Sequence, residues 1–262
     1  MSAKLSVLMI TKNAAETLEK SLASIKKISD EIIIVDSKST DRTVEIAKNY
    51  LAKVYVKEFS DIGKQRLFGF SKATGKWILI LDADEIVSEK LMKEIKSKIE
   101  NKRIKIAGYF ISYQNFFLNI PLQYGGENYR MLRLFRRKYA TISPSLIHEH
   151  FKLTKGKAGR LNGKIFHHSY RSISQMIIKF TDYGIRTAKE KYARKERSSF
   201  KKVFLYPAHM FWARFIEDKG YEDGLFRIPL DLGFAYMEFI TYFTLAIMSP
   251  ALGGPRRKKI KK

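Results

Sequence analysis

Trp77-Ile78-Leu79-Ile80-Leu81-Asp82-Ala83-Asp84-Glu85 is the stretch on which the fold turns. Its first five residues are apolar without a break, the pattern of a short strand buried on both faces. The acidic cluster that follows then stands at the strand's C-terminal edge, where open α/β sheets bind ligands. Three carboxylates in four residues repel one another, and a divalent cation would relieve the repulsion. Mg²⁺ is typically held by one or two carboxylates together with substrate phosphates. The same residues also suit the first turn of a helix, which favours Asp and Glu. Taken alone, the cluster leaves a cation site and an acidic turn level.

Outward from that stretch, strand and helix patterns alternate. Leu5 to Ile10 is strand-like and ends in Thr11-Lys12-Asn13. Leu18, Leu22 and Ile25 recur at helical spacing, so residues 14–28 form an amphipathic helix with Asn13 as a plausible N-cap. Glu31 to Val35 is a second strand ending at Asp36, Thr40 to Tyr50 a helix, and Val54-Tyr55-Val56 a third strand. Asp61 to Ala73 is helical and closes at Thr74-Gly75. After the Trp77 strand a helix starts at about Ser88, with Leu91, Ile95 and Ile99 on one face. This alternation predicts an α/β fold: a mostly parallel sheet with helices on both faces. Right-handed crossovers gather the strand ends on one edge. The loops after Ile10, Val35 and Leu81 then bring Thr11 and Asn13, Asp36, Ser37, Ser39 and Asp41, and Asp82 and Asp84 to one crevice. Three such loops tip the acidic cluster toward a site. Neither GxGxxG nor GxxxxGK[ST] occurs, so a nucleotide would be held by carboxylates and a metal rather than by a glycine cradle.

At 262 residues the chain accommodates one large domain or a domain with an appendage. Its 50 Lys and Arg against 26 Asp and Glu give a formal net charge of +24, which implies an anionic partner: nucleic acid, an anionic membrane face or a phosphorylated substrate. The absence of cysteine excludes disulfides, thiolate metal sites and cysteine nucleophiles. The N-terminus enters a strand pattern at Leu5 without a charged-then-apolar leader, so no signal peptide is expected.

The chain resembles the family 2 glycosyltransferases of the GT-A (Rossmann-like) fold. The residues that carry the resemblance are Val7 to Asn13, Glu31 to Thr43, Gly63-Lys64-Gln65-Arg66 and Trp77 to Glu85, in that order and spacing. Arg130 to Arg137, His148-Glu149 and His167-His168-Ser169-Tyr170 are similar to a narrower subgroup that includes lipopolysaccharide inner-core β-glucosyltransferases. The resemblance implies a nucleotide-diphosphate sugar donor, a divalent metal (Mg²⁺ or Mn²⁺) and an inverting transfer. It implies that Asp36 accepts from the base, typically uracil. Thr11 and Asn13 would line the nucleotide pocket, with Lys64 and Arg66 among the donor-binding residues. Asp82 would lie near the ribose, and Asp84 would ligate the metal bridging the diphosphate. The chain departs from the family at Lys38, where glycine is usual and where close approach or a positive φ is often required.

Glycosyl transfer needs a stabilised leaving group, and Arg133 and Lys64 are candidates to supply fixed positive charge beside the metal. Arg133 has a competing reading as an exposed strand residue in a chain rich in surface arginine. The acceptor hydroxyl needs a base. Glu149, after the apolar Leu146-Ile147, is the first candidate and Glu127 of Gly125-Gly126-Glu127 the second; a structural ion pair competes with both. His168 is a candidate additional metal contact, as is His148, although each histidine alone is more commonly structural. No HExxH pair occurs to favour a zinc hydrolase.

From about Ile173 the β/α alternation stops. A basic stretch, Lys189 to Lys202, is interleaved with Tyr192 and Phe200 and is followed by Phe204, Leu205, Tyr206, Phe211, Trp212 and Phe215. Leu230 to Leu252 approaches the ~20 apolar residues of a membrane span, but Glu238 falls inside it. Helices lying on the membrane, aromatic face down and basic face toward anionic lipid, fit this pattern better than a span or a face packed only on protein. The expected organisation is a catalytic domain over residues 1–170, a helical membrane-associating region over 171–252 and a disordered basic tail over 253–262. The expected protein is an inverting glycosyltransferase, peripheral on the cytoplasmic face of the cell membrane. It moves a sugar from a nucleotide-diphosphate donor to a cell-envelope glycan or lipid-linked acceptor. Three alternatives stand beside it: transfer to a peptide or another carbohydrate, a basic nucleic-acid-binding protein, and a non-catalytic GT-A module, for which Lys38 is the one hint. The second lacks any helix-turn-helix, zinc-finger or RNP1 motif, and nucleic acid is not expected as a partner.

Overall fold

In the computed structural model, which describes residues 3–59, 61–101, 105–143 and 150–249, the apolar runs of the first half are strands buried on both faces. β1 (Leu5–Thr11), α1 (Ala15–Ile25), β2 (Glu31–Asp36), α2 (Thr43–Asn49), β3 (Lys53–Val56), α3 (Ile62–Lys72) and β4 (Trp77–Ile80) follow in order. The four strands pair in parallel as β3-β2-β1-β4. Successive strand side chains point to opposite faces, and the two cores divide accordingly. Leu5, Val7, Met9, Ile32, Ile34 and Leu79 pack with Leu18 and Leu22 of α1. The intervening Leu8, Ile33, Val35, Ile78 and Ile80 pack with Phe68 and Phe70 of α3.

Beyond β4 the sheet changes character. β5 (Glu85–Val87), α4 (Glu89–Glu100), β6 (Ile106–Phe117), β7 (Ile120–Pro121), β8 (Arg130–Arg136), β9 (Ala140–Ser143), β10 (His150–Leu153) and β11 (Lys157–Tyr170) complete this part of the chain. The full order is β3-β2-β1-β4-β8-β6-β11-β5, with β7 on β6 and a separate β9–β10 pair. β8 runs antiparallel to β4 and β6, whereas β11 is parallel to β6 and antiparallel to β5. The sheet is therefore mixed: it is parallel throughout over β3-β2-β1-β4, where helices separate consecutive strands, and beyond β4 the β6–β11 pair alone is parallel among the described residues.

Two helix starts match the sequence reading, since Asp61 and Ser88 accept from the backbone N–H groups of Lys64 and Leu91. Asn13 does not cap α1. It lies in the left-handed region (φ 48°), and its Oδ1 accepts from Thr40 N at 2.8 Å. The start of the helix is served instead by Thr43 Oγ1, which accepts from Ala14 N, and Asp41 Oδ2, which accepts from Ala15 N.

The chain divides into two compact units. The first comprises residues up to Gln123 together with Glu127–Arg171, and the second comprises Tyr124–Gly126 with the residues from Ser172 onward. In the second unit α7 (Ile228–Met248) packs along α5 (Ile173–Ala193) and α6 (Phe200–Trp212). Close approach needs Gly184, where a Cβ would lie 2.9 Å from the Met237 carbonyl oxygen. Asp231, an acid inside the apolar stretch, is fully buried and paired with Arg227 and Arg214 at 2.9 and 3.1 Å. Arg227, also fully buried, donates further to Asp223 and to the carbonyls of Tyr124 and Gly125. The expected basic tail over 253–262 lies outside the described residues.

Candidate active site

The C-terminal ends of β1, β2 and β4 lie side by side in the sheet, with Thr11 directly opposite Asp36. Thr11 Oγ1 donates to Asp36 Oδ1 at 2.7 Å. Asp36 is fully buried, and it accepts in addition from Ser39 N at 2.7 Å and Ser39 Oγ at 2.6 Å. Its carboxylate thus shapes the loop after β2. Lys38, in this loop, adopts φ 56°, the conformation that glycine takes most easily. Lys12 Nζ compensates by donating to the carbonyls of Ser37 and Lys38.

The acidic cluster after β4 divides into unequal members. Asp82 is gripped by Arg66 of α3 and lies 3.6 Å from Arg133 of β8. Burial alone would raise its carboxyl, but the two guanidiniums outweigh it and hold Asp82 below the usual carboxylate value. Glu85 is 1% exposed, accepts from Asp82 N at 2.9 Å and lies 3.5 Å from Arg133. Burial, reinforced by the Asp82 charge, pushes its carboxyl up despite Arg133. Arg133 is itself 4% exposed and stacks its guanidinium over Tyr113 at 5.6 Å. The structure therefore makes it the buried countercharge of the acidic turn, neither an exposed strand residue nor a group open to a leaving phosphate. Lys64, by contrast, is largely exposed beside Asp61.

Asp84, like Asp82, is partly exposed, and an imidazole stands beside it. That imidazole is His167, whose Nε2 is 3.6 Å from Asp84 Oδ1. The expected His168 faces the other way: its ring stacks on Phe116 at 4.4 Å, and its backbone N–H donates to the Asp84 carbonyl. Strand parity explains the correction. Along β11, Leu161, Gly163 and Ile165 are buried while Arg160, Asn162 and Lys164 are exposed. The odd positions thus point inward and His167 belongs to them. Burial lowers a histidine's proton affinity, but Asp84 and, after it, Glu85 and Asp82 outweigh that and hold His167 above its usual value.

β11 is inserted between β6 and β5, which sets His167 opposite both Asn115 and Glu85. Asn115, 4% exposed, lies 3.0 Å from His167 Nδ1 and donates to Glu127 Oε2 at 2.9 Å. The sequence reading quoted His167 only within the His167-His168-Ser169-Tyr170 motif and did not name Asn115, although the alternation in β6 and β11 marks both as inward positions. Glu127, the second candidate base, is buried and held by this hydrogen bond. Glu149 and His148 lie outside the described residues.

No group of three or more Asp, Glu or His able to enclose a cation occurs among the described residues. Asp84 and His167 nevertheless fit a shared site, because Mg²⁺ and related ions are commonly held by one or two protein ligands with phosphates and water completing the shell. Asp82 does not fit as a ligand, since its charge is already met by two arginines.

A sheet covered on both faces, with acids and arginines converging at its strand ends, is the architecture of a GT-A type transferase. The pattern of glycosyl transferase family 2 covers residues 6–160, and the chain belongs to that family and is a glycosyltransferase. An uncharacterized glycosyltransferase of Rickettsia prowazekii is 31% identical over 225 residues, spanning 80% of this chain and 74% of the relative. The lipopolysaccharide core biosynthesis glycosyltransferase LpsC of Rhizobium meliloti is 24% identical over 257 residues, 94% of this chain and 90% of its own length. Among solved structures, S. aureus TarS 1–349 aligns with a TM-score of 0.46 and 14% identity over 97% of this chain and 93% of that one.

Proposed function

We propose that the protein transfers a sugar, with inversion, from a nucleoside diphosphate donor, above all a uridine diphosphate sugar, to a glycan or lipid-linked acceptor of the cell envelope. The observation that carries this reading is the pairing of Asp84 with His167 beside an Asp82 already neutralised by Arg66 and Arg133. Such a strand end offers two ligands for a cation and no surplus negative charge to repel a diphosphate. The kinship with LpsC, named for lipopolysaccharide core biosynthesis, favours the envelope acceptor over a peptide.

In this reading the acceptor hydroxyl oxygen attacks the anomeric carbon as the bond to the diphosphate oxygen breaks, and the hydroxyl proton passes to a carboxylate, for which Glu149 is the candidate. A divalent cation held by Asp84 and His167 supplies Lewis-acid stabilisation of the departing diphosphate when bound. Thr11, Asp36 and the Lys38 loop shape the nucleotide side. Arg66 and Arg133 fix Asp82 on the ribose side and keep its charge balanced.

The second unit supports peripheral attachment to the cytoplasmic face of the membrane. Phe200, Phe204, Trp212 and Ile216 are exposed at spacings of four, eight and four residues along α6 and its continuation, with Lys201 beside them. One segment, Leu225–Met248, is long and apolar enough to span by length and composition, yet Leu230, Asp231, Tyr242 and Leu245 of α7 are buried within the unit. That packing favours a helix lying on the membrane.

Thermal-shift measurements with uridine, guanosine and thymidine diphosphate sugars, each with and without Mn²⁺, test the donor. A uridine diphosphate sugar should raise Tm and Mn²⁺ should enlarge the rise; a shift for none of them would overturn the reading. Glu149→Gln should lower kcat by about 10²–10⁴ with donor affinity kept, and loss of donor binding alone would contradict the base assignment.

A further inference from the structure

The geometry points to Asn115 as the positioning residue that holds His167 with its proton on Nδ1 and its Nε2 lone pair turned toward Asp84. The usefulness of that arrangement rests on the cation reading above, whereas the arrangement itself follows from hydrogen-bond chemistry alone.

The two ends of an amide side chain are told apart by their partners. One end of Asn115 faces the Glu127 carbonyl at 3.1 Å and Glu127 Oε2 at 2.9 Å. A carbonyl and a carboxylate only accept, so the NH₂ group must be there. The other end is then Oδ1, which only accepts. It receives the Tyr129 hydroxyl at 3.4 Å and faces His167 Nδ1 at 3.0 Å. Nδ1 must therefore carry hydrogen. In a neutral ring this leaves Nε2 as the acceptor. Ser169 Oγ lies 2.9 Å from both ring nitrogens, which places it over the ring face and in line with neither lone pair, so it does not decide the tautomer.

This is the tautomer that a metal-ligating imidazole needs: one nitrogen anchored through N–H to a fixed acceptor, the other presenting its lone pair. A proton on Nε2 would instead point N–H at the cation. Asn115 cannot swivel to permit this, because turning its amide would set its oxygen against both the Glu127 carbonyl and the Glu127 carboxylate, which only accept. All members of the chain except Glu127 lie on β6, β8 or β11 or beside them, and Asn115, Glu127 and Ser169 are each less than 10% exposed.

The test uses the full chain labelled with ¹⁵N-histidine, His167 being assigned by the signal lost in His167→Gln. In the wild type, at a pH above the His167 transition that the same spectra follow, its Nδ1 should give a protonated and its Nε2 an unprotonated nitrogen shift. Asn115→Leu, which removes the acceptor, should release the proton to Nε2 and weaken Mn²⁺ binding, followed by the free-ion EPR signal, about 10–100-fold. The double variant Asn115→Asp with Glu127→Gln reverses the polarity of the inner hydrogen bond while keeping an acceptor at Nδ1. It should restore the wild-type tautomer, and it serves as the test if Asn115→Leu does not fold. A wild-type His167 protonated at Nε2, or an unchanged tautomer in Asn115→Leu, would overturn the assignment. A wild type with the expected tautomer and no Mn²⁺ binding would uphold the positioning role and remove the cation reading alone.

Discussion

His167 Nε2 stands 3.6 Å from Asp84 Oδ1, and 83 positions of chain separate a strand-end acid from the imidazole that faces it. Because Asp82 is already met by arginine, Asp84 is the acid of the cluster suited to a cation. Asp84→Ala should abolish Mn²⁺-stimulated turnover, a loss of at least about 100-fold given the several kcal/mol such an ion supplies. Turnover like the wild type's, assayed across Mn²⁺ concentrations, would remove the role.

Glu31, at the opposite end of β2, is held by Lys53 Nζ at 2.8 Å, by Ser6 Oγ and by Thr74 N at 2.9 Å. Burial opposes its charge, but these partners outweigh it and lower its pKa from 4.5 to about 2. The sign follows from linkage: a carboxyl depressed in the folded state stabilises above its unfolded value, and the contribution disappears as pH falls through the folded one. The stability gap between the wild type and Glu31→Gln should therefore be full above pH 4.5 and shrink toward pH 2. Urea titrations at several pH values give the gap directly, and a gap independent of pH would refute the linkage.

Arg227 is a buried cation serving two buried acids, Asp223 and Asp231. Arg227→Met leaves those acids with fewer partners and should destabilise the second unit by about 3–5 kcal/mol. Chemical denaturation followed by helix content measures it, and a cost below about 1 kcal/mol would show that the network contributes little.

The exposed stripe on α6 makes a prediction separable from catalysis. Replacing Phe200, Phe204 and Trp212 by Ser should weaken binding to vesicles containing anionic lipid by about 100-fold or more, since each such side chain contributes roughly 1.5–3 kcal/mol when buried. Cosedimentation at fixed lipid concentration reads the loss. These substitutions spare the buried side of the unit, unlike removal of α7, which would take Arg227's partner Asp231 with it. Unchanged sedimentation would leave the stripe without a membrane role.

The first four strands were legible because each is a local apolar run and each is joined to the next by a helix whose period is also local. That pattern forces a parallel sheet, and with it the meeting of Thr11, Asp36 and Asp82 on one edge. The Asp82-Ala83-Asp84-Glu85 cluster was marked by charge and position alone. Its division of labour was not legible. Arg66 and Arg133 reach Asp82 from α3 and β8, at sequence separations that no periodicity records. The choice of His167 over His168 was written in the alternation along β11, but it acquires meaning only once β11 lies between β6 and β5.

The sequence by itself therefore determined the family, the α/β alternation and which loops share the crevice, since these depend on spacing between near neighbours. Only the tertiary structure decided that Arg133 is buried countercharge, that Asp84 faces His167, and that Asn115 and Glu127 stand behind that ring. Those relations depend on strand register between distant segments, and a shift of one residue would have turned Arg133, Asn115 and His167 to the other face.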